Sequence, residues 1–225
     1  MLKPKRKILR QEIEKDPFLE TLFSIKQHFE IHKKIYLLSI TALLTFVLIF
    51  SFYFKSRSEN AIDASVVLNK AMVFMAQKDN LNAMIFLQEV NDKYIDTNAG
   101  LDASYYLGKI YFDREDYILA KSFFKQYNSK GSSKLFLGAS CKSLSYIYEI
   151  NGDLENAIKY QKLQLKYISS NLDKAHANIN LAKIFFNMGD IKSAKVLIKQ
   201  IIKDNSDNFE IIQLAEQAYG SILAK

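Results

Sequence analysis

The pattern of apolar and polar positions sets one long apolar run apart from the rest of the chain. Residues 35–54 read IYLLSITALLTFVLIFSFYF, twenty positions without a charge, and thirteen of them are Leu, Ile, Val or Phe. As a helix, this run would span about 30 Å, the thickness of the hydrocarbon core of a bilayer. The pattern therefore predicts one transmembrane helix near the N-terminus.

Two other interpretations of the run are less favourable. A buried core helix seldom extends this far without a polar face. A cleaved signal peptide has a shorter lead-in than the 34 residues found here, and an apolar core of only about 7–15 residues. We therefore expect an uncleaved signal anchor over residues 35–54.

The charges around the run predict its orientation. Residues 1–34 contain nine Lys or Arg, whereas Lys55, Arg57 and Lys70 alone follow the run closely. By the positive-inside rule, residues 1–34 form a cytoplasmic tail and residues 58–225 lie across the membrane. In a bacterium, this predicts a single-pass inner-membrane protein whose large domain is periplasmic or external.

The tail itself carries a helical signal. Asp16 followed by Pro17 is typical of a helix N-cap and first turn. Apolar residues then recur on one face, at Phe18, Leu22, Ile25 and Phe29. They predict a short amphipathic helix, either lying at the inner leaflet or extending the membrane helix.

A 37-residue repeat organises the remainder of the chain. An aspartate recurs at Asp79, Asp116, Asp153 and Asp190, and an alanine at Ala83, Ala120, Ala157 and Ala194. Small residues precede each aspartate by eight positions, at Ala71, Gly108, Ser145 and Ala182. Aromatic residues follow these by three, at Phe74, Tyr111, Tyr148 and Phe185. Such a period indicates stacked helix–turn–helix units, in which the aspartate caps the second helix.

These units resemble the tetratricopeptide repeat. Leu107-Gly108, Tyr111, Ala120 and Phe124 match its Leu-Gly, Tyr, Ala and Phe positions, and the likeness extends over roughly residues 60–205. The leading tryptophan is absent, and the period is 37 rather than about 34. Together with the apolar run, the resemblance implies an all-α fold: a transmembrane helix, then a solenoid of about four units with a C-terminal capping helix.

Few residues suggest chemistry. The sequence has no glycine-rich phosphate loop and no CxxC motif, and its single cysteine, Cys141, is expected to be a small buried side chain. His28 and His32 have a metal-chelating spacing but no third ligand, so we predict no metal and no cofactor. Of the net charge of +7, the first 34 residues hold +4, which argues against nucleic-acid binding by the large domain. We expect a protein that is not an enzyme.

In tetratricopeptide repeats the concave face, formed by the first helix of each unit, is the usual docking surface. The repeat register places nine residues there: Tyr105, Lys109, Phe112, Lys142, Tyr146, Glu149, His176, Lys183 and Phe186. Aromatic residues beside lysines could hold an extended peptide. Alternatively, the aromatic residues pack against the next repeat and the lysines are only solvated.

The whole layout resembles the bacterial ancillary SecYEG translocon subunit family. A basic tail, a signal anchor and an external tetratricopeptide domain carry the likeness, together with ENAIDASVVLNKAM directly after the anchor. The resemblance implies proteins or peptides as partners, including the SecYEG translocon and periplasmic chaperones. Two alternatives stay open: a scaffold in a division, pilus or polysaccharide-export machine, and a cytosol-facing docking receptor of reversed topology.

Overall fold

The structure is a computed structural model that describes residues 17–223, and every regular element in this range is a helix. The helices are α1 Pro17–Ala76, α2 Asn80–Tyr94, α3 Asn98–Asp113, α4 Tyr117–Lys130, α5 Lys134–Ile150, α6 Leu154–Leu165, α7 Asn171–Asn187, α8 Ile191–Asp204 and α9 Phe209–Leu223. The predicted all-α fold is confirmed.

The chain divides into two compact units, one up to Ser56 and one from Arg57 onward. The described part of the first unit is helical throughout, and its described Leu, Ile, Val and Phe side chains are exposed. An 18-residue window of this helix reaches a mean hydropathy of 2.4 with none of it buried. By length and composition, the helix could cross a membrane.

The apolar residues of the tail belong to α1 rather than to a separate helix. Helix α1 begins at Pro17 and continues without interruption through the apolar run. Of the two possibilities for the tail, its described part therefore matches an extension of the apolar helix. Asp16, the predicted N-cap, lies outside the described residues.

The second unit is built from four helical hairpins, called repeats 1 to 4. Repeat 1 pairs the C-terminal part of α1 with α2, and repeats 2, 3 and 4 pair α3 with α4, α5 with α6, and α7 with α8. Helix α9 packs on α7 and α8 as the predicted closing helix, burying Ile211, Ala215 and Ile222.

The periodic aspartates cap the second helix of each repeat, as the pattern predicts. The side chains of Asp79, Asp116, Asp153 and Asp190 each accept a hydrogen bond, at 3.0–3.2 Å, from the N–H three residues later. The residue before each aspartate has a positive φ: Lys78 at 61°, Glu115 at 63°, Gly152 at 76° and Gly189 at 88°. The turn thus needs a left-handed residue, which explains the glycine before the aspartate in repeats 3 and 4.

The other periodic positions form the core of each hairpin. The alanines at 83, 120, 157 and 194 are completely buried. Gly108 has the same role on a first helix, because an added Cβ would lie 2.9 Å from Cδ1 of Phe124. Small residues at these positions let the paired helices approach closely.

Candidate functional site

The second helix of repeat 3 departs from the core pattern of its counterparts. Eight residues after the cap, the other repeats bury Leu87, Phe124 and Ile198, and eleven residues after it they bury Val90, Tyr127 and Ile201. Repeat 3 has Gln161 and Gln164 at these two positions, and both are buried. Two core positions are therefore polar in this repeat alone.

Between repeats 2 and 3, aromatic side chains fill the inter-repeat space. The ring of Tyr105 stacks on that of Phe136 with centroids 4.3 Å apart and planes 8° from parallel. Tyr127 is fully buried beside them, 5.7 Å from Tyr105, and its hydroxyl accepts a hydrogen bond from the N–H of Ser133. This packing leaves little space between α3 and α5.

Between repeats 3 and 4, the equivalent positions carry smaller or polar side chains. One period later, Lys142 takes the place of Tyr105 and Gln164 that of Tyr127. Gly138 likewise replaces Leu101. A cleft of about 790 Å³ opens here between α5 and α7. We call it the α5–α7 cleft.

The lining of the α5–α7 cleft comes from three segments. From α5 come Lys134, Leu135, Gly138, Ala139 and Lys142; from the end of α6 and the loop after it, Gln164, Tyr167, Ile168, Ser169 and Ser170; from α7, Asp173, His176, Ala177 and Asn180. The small residues leave open space, and polar groups surround it. Eight of the fourteen lining residues are polar or charged, so the cleft suits a polar or charged occupant.

The electrostatics of the cleft favour an anionic group. Lys134 and Lys142 contribute two positive charges, against one carboxylate from Asp173. The N-terminus of α7 also borders the cleft at Ser170, whose hydroxyl accepts a hydrogen bond from the N–H of Asp173. A helix N-terminus carries partial positive charge, which adds to that of the lysines.

Gln164 brings an unsatisfied acceptor to the same cleft. Only 9% of its surface is exposed, and its Oε1 has no hydrogen-bond partner. Gln161, one turn earlier, differs because its Nε2 donates to the carbonyl of Ala177 at 2.8 Å. A buried acceptor without a partner costs free energy, which an occupant of the cleft would offset if the side chain rotated its Oε1 toward it.

The structure brings some of the predicted docking residues together. Lys142 and His176 line the α5–α7 cleft from opposite helices. His176 also borders a second cleft of about 340 Å³ between α7 and α9, together with Lys183. Three of the nine predicted residues therefore lie along one continuous stretch of the first-helix surface.

The predicted aromatic residues are mainly packing residues. Tyr105 lies in the cluster between repeats 2 and 3, and Phe112 contacts Phe124 and the ring of Tyr146. Phe186 packs on the core of repeat 4. Of the two alternatives for the aromatic residues, packing against the neighbouring repeat fits these positions, while Tyr146 keeps 46% of its surface exposed.

The other two predicted residues stand away from the cleft. Lys109 is exposed on α3, and no described carboxylate pairs with it. Glu149 accepts a hydrogen bond at 3.1 Å from the side chain of Asn187 and so links repeats 3 and 4.

Sequence reasoning missed Lys134, Tyr167 and above all Gln164. A signal for Gln164 was present, because it is the one polar residue in a repeat position that is otherwise Val, Tyr or Ile. The lining of the cleft by the α6–α7 loop had no comparable signal, since loop residues follow no repeat register.

Cys141 is a structural residue in this domain. It is fully buried, its thiol donates to Oδ1 of Asn128 at 3.1 Å, and burial raises its pKa to about 12. A thiol of such high pKa is a poor nucleophile. Across residues 17–223, no group of three or more His, Cys, Asp or Glu side chains could hold a metal ion.

Comparison with known proteins defines the class of the domain. Residues 140–171 and 175–208 match the family model of the tetratricopeptide repeat. These segments cover most of repeats 3 and 4, so the chain contains tetratricopeptide repeats. No curated protein matches the sequence.

Solved structures show a similar fold over about 70% of the chain. A tetratricopeptide repeat protein from Parabacteroides merdae matches with a TM-score of 0.55 and 15% identity over 70% of this chain. The match spans only 60% of that protein's own length. The repeats of a putative kinesin light chain from Podosopora anserina match with a TM-score of 0.51 and 15% identity, over 71% of this chain and 92% of that one. The fold is thus a tetratricopeptide-repeat solenoid, a class that serves in protein–protein interaction.

Proposed function

We propose that this protein is a membrane-anchored adaptor that binds polypeptide segments in the α5–α7 cleft. Residues 35–54 anchor it in the bacterial inner membrane, and the solenoid faces the periplasm or exterior. There it acts as an ancillary translocon subunit or a chaperone-like adaptor for secreted polypeptides. The cleft carries the binding half of this proposal, and the apolar helix with its flanking charges supports the anchoring half.

The chemistry of the cleft favours an acidic, extended segment. Carboxylates on the segment would meet Lys134 and Lys142, and its backbone N–H groups could donate to the Oε1 of Gln164 once that side chain turns this buried atom toward the cleft. Apolar side chains of the segment would lie against Leu135, which is 75% exposed. An unfolded secreted chain offers such segments, whereas a folded partner rarely enters a cleft of this size.

The binding experiment uses the full chain in detergent and two synthetic fluorescent peptides. One is an extended peptide of alternating Asp and Leu, and the other has Lys in place of Asp. Fluorescence anisotropy should show binding of the acidic peptide and much weaker binding of the basic one. Equal affinity for the two peptides, or no binding of either, would overturn the assignment of the cleft.

A variant that closes the cleft provides the specific control. Lys142→Tyr combined with Gln164→Tyr copies the aromatic packing of Tyr105 and Tyr127 in repeat 2. We expect this double variant to stay folded and to lose its binding of the acidic peptide. The matched control is Lys109→Tyr, at another exposed lysine, on α3, which should bind as the wild type does.

The anchoring half has its own test. Protease protection in spheroplasts should show cleavage of the repeat domain from the outside, while the N-terminal tail is protected. Protection of the repeats until the membrane is opened would instead support the cytosol-facing docking receptor. Copurification in fixed ratio with one division, pilus or export machine would support the scaffold.

A further inference from the structure

Lysines recur at matching positions on the second helices of repeats 2 to 4. Nine residues after each capping aspartate stand Lys125, Lys162 and Lys199, and thirteen residues after it stand Lys166 and Lys203 in repeats 3 and 4. Repeat 1 has Gln88 and Asp92 at these two positions. The second helices of repeats 2 to 4, called the outer helices below, therefore carry lysines at positions where the second helix of repeat 1 has none.

Charge is concentrated on these outer helices. Together with their caps, residues 116–131, 153–166 and 190–205 hold ten lysines against five acidic residues, a net charge of +5. The corresponding segment of repeat 1, residues 79–95, has one lysine and three acidic residues, a net charge of −2. We call the ten lysines the lysine face: Lys121, Lys125, Lys130, Lys159, Lys162, Lys166, Lys192, Lys195, Lys199 and Lys203.

Four of these ten lysines interact with a carboxylate of the domain, including Lys192 with Asp190. Lys130 pairs with Asp96 at 3.2 Å, and Lys121 and Lys125 lie near enough to Asp153 to help lower its pKa. The ammonium of Lys125 lies 5.5 Å from the centre of the Tyr148 ring, and that of Lys162 lies 5.6 Å from that of Phe185. For the remaining lysines, the described residues provide no salt bridge.

The composition of this face fits a lipid surface better than a folded protein. The three outer helices contain no arginine. Protein interfaces are enriched in Arg, Tyr and Trp and depleted in Lys, because a flexible, strongly hydrated ammonium gains little from being buried. Lysines act well, however, through diffuse attraction to anionic headgroups, which leaves their hydration intact.

We propose that the lysine face docks the solenoid on an anionic phospholipid bilayer. The inference rests on the proposed membrane anchor, which would hold the domain near headgroups at high effective concentration. Clusters of four to eight lysines are sufficient for such attraction. Docking would keep the α5–α7 cleft close to the membrane from which a translocated chain emerges.

The test reports contact between this face and lipid in the full chain. Val196 lies on α8 among the lysines and is 61% exposed, so Val196→Cys accepts an environment-sensitive fluorophore. Cys141 is buried, with its pKa raised to about 12, and does not compete for the label. The labelled protein is reconstituted into vesicles of phosphatidylcholine alone, or with about 30% phosphatidylglycerol to supply negative surface charge.

We expect a blue-shifted emission, and quenching by headgroup spin-labelled lipid, in the anionic vesicles alone. Roughly 0.5 M NaCl should reverse both, because it shortens the screening length to a few ångströms. The triple variant Lys166→Gln, Lys199→Gln and Lys203→Gln, whose side chains make no cation–π contact or salt bridge, should weaken docking on the order of 100-fold. The matched control removes three lysines that lie off the outer helices and make no salt bridge with a described residue, at Lys70, Lys78 and Lys109, and should dock as the wild type does.

Failure of the anchor and failure of the docking are separable. A protein that does not float with neutral vesicles at high salt lacks a membrane anchor, and this outcome overturns both proposals. A protein that floats but gives the same fluorescence in neutral and anionic vesicles keeps its anchor and overturns the docking. In that case an acidic protein, and not a lipid bilayer, would be the expected partner of the lysine face.

Discussion

The rings of Tyr111 and Phe123 stack face to face, with centroids 5.6 Å apart and planes 4° from parallel. The stacked pair joins α3, the first helix of repeat 2, to α4, the second helix. The same geometry recurs one period away, at 5.4 Å and 6° for Phe74 with Phe86 and at 5.4 Å and 9° for Tyr148 with Tyr160. Repeat 4 has Phe185 opposite Leu197, so a stacked aromatic pair links the two helices in three of the four hairpins.

We expect this stack to stabilise repeat 2 beyond the area it buries. A double-mutant cycle of Tyr111→Leu and Phe123→Leu should give a coupling of about 0.5–1.5 kcal/mol in the free energy of unfolding. Urea denaturation followed by far-UV circular dichroism measures it. The control cycle, Phe185→Leu with Leu197→Ala, has no ring pair and should couple more weakly. Equal couplings would mean that the stack contributes nothing special.

The tight approach of α3 and α4 at Gly108 leads to a second prediction. Alanine is the better helix former, by about 1 kcal/mol, but its Cβ would meet the buried ring of Phe124. We expect Gly108→Ala to destabilise the protein by about 1–3 kcal/mol. Gly220→Ala on α9 has open space around the new Cβ and should stabilise by about 0.5–1 kcal/mol. If Gly108→Ala also stabilises, the contact with Phe124 is loose.

The repeat register accounts for much of the fold and little of the cleft. Caps such as Asp153 and crossing alanines such as Ala157 are predictable, because the second helix of each repeat needs a cap and each helix crossing needs a small residue. For Tyr105 the register left open whether the ring faces a groove or packs against the next repeat, and its stacking on the ring of Phe136 fits the packing alternative. The cleft exists where repeats 3 and 4 depart from this pattern, and averaging over repeats hides such departures.

Acid should destabilise the domain through its helix caps. Hydrogen bonds from Asn82, Asn156 and Ser193 hold the pKa values of Asp79, Asp153 and Asp190 below 3.8. Since the unfolded pKa is higher than the folded one, the carboxylates stabilise the fold above pH 3.8 and lose this effect as the pH falls through their folded pKa values. Thermal unfolding across this pH range should show the loss.

Replacing the three aspartates by asparagine isolates this effect, since asparagine caps a helix without titrating. The triple variant should lose less stability in acid than the wild type does. Asp102 acts in the opposite direction, because burial raises its pKa. Asp102→Asn should therefore increase stability at neutral pH and steepen the loss in acid. An unchanged acid profile in the triple variant would show that other groups govern the transition.

The two glutamines of α6 should respond oppositely to the same substitution. The side chain of Gln161 donates to the carbonyl of Ala177, so Gln161→Met should lower the free energy of unfolding by about 1 kcal/mol. The Oε1 of Gln164 is buried without a partner, so Gln164→Met removes a desolvated acceptor and should be neutral or stabilising by up to about 1 kcal/mol. Urea titrations of the two variants provide the comparison.

The same pair separates stability from binding. If Gln164 serves an occupant of the α5–α7 cleft, Gln164→Met should lower the affinity for the acidic peptide by about 2- to 10-fold while the fold remains intact. Gln161→Met should leave the peptide affinity close to that of the wild type, because Gln161 itself does not line the cleft and its amide is already bonded to the carbonyl of Ala177. A Gln164→Met variant that is destabilised and binds normally would show that Gln164 is a packing residue whose carbonyl finds a partner in solution.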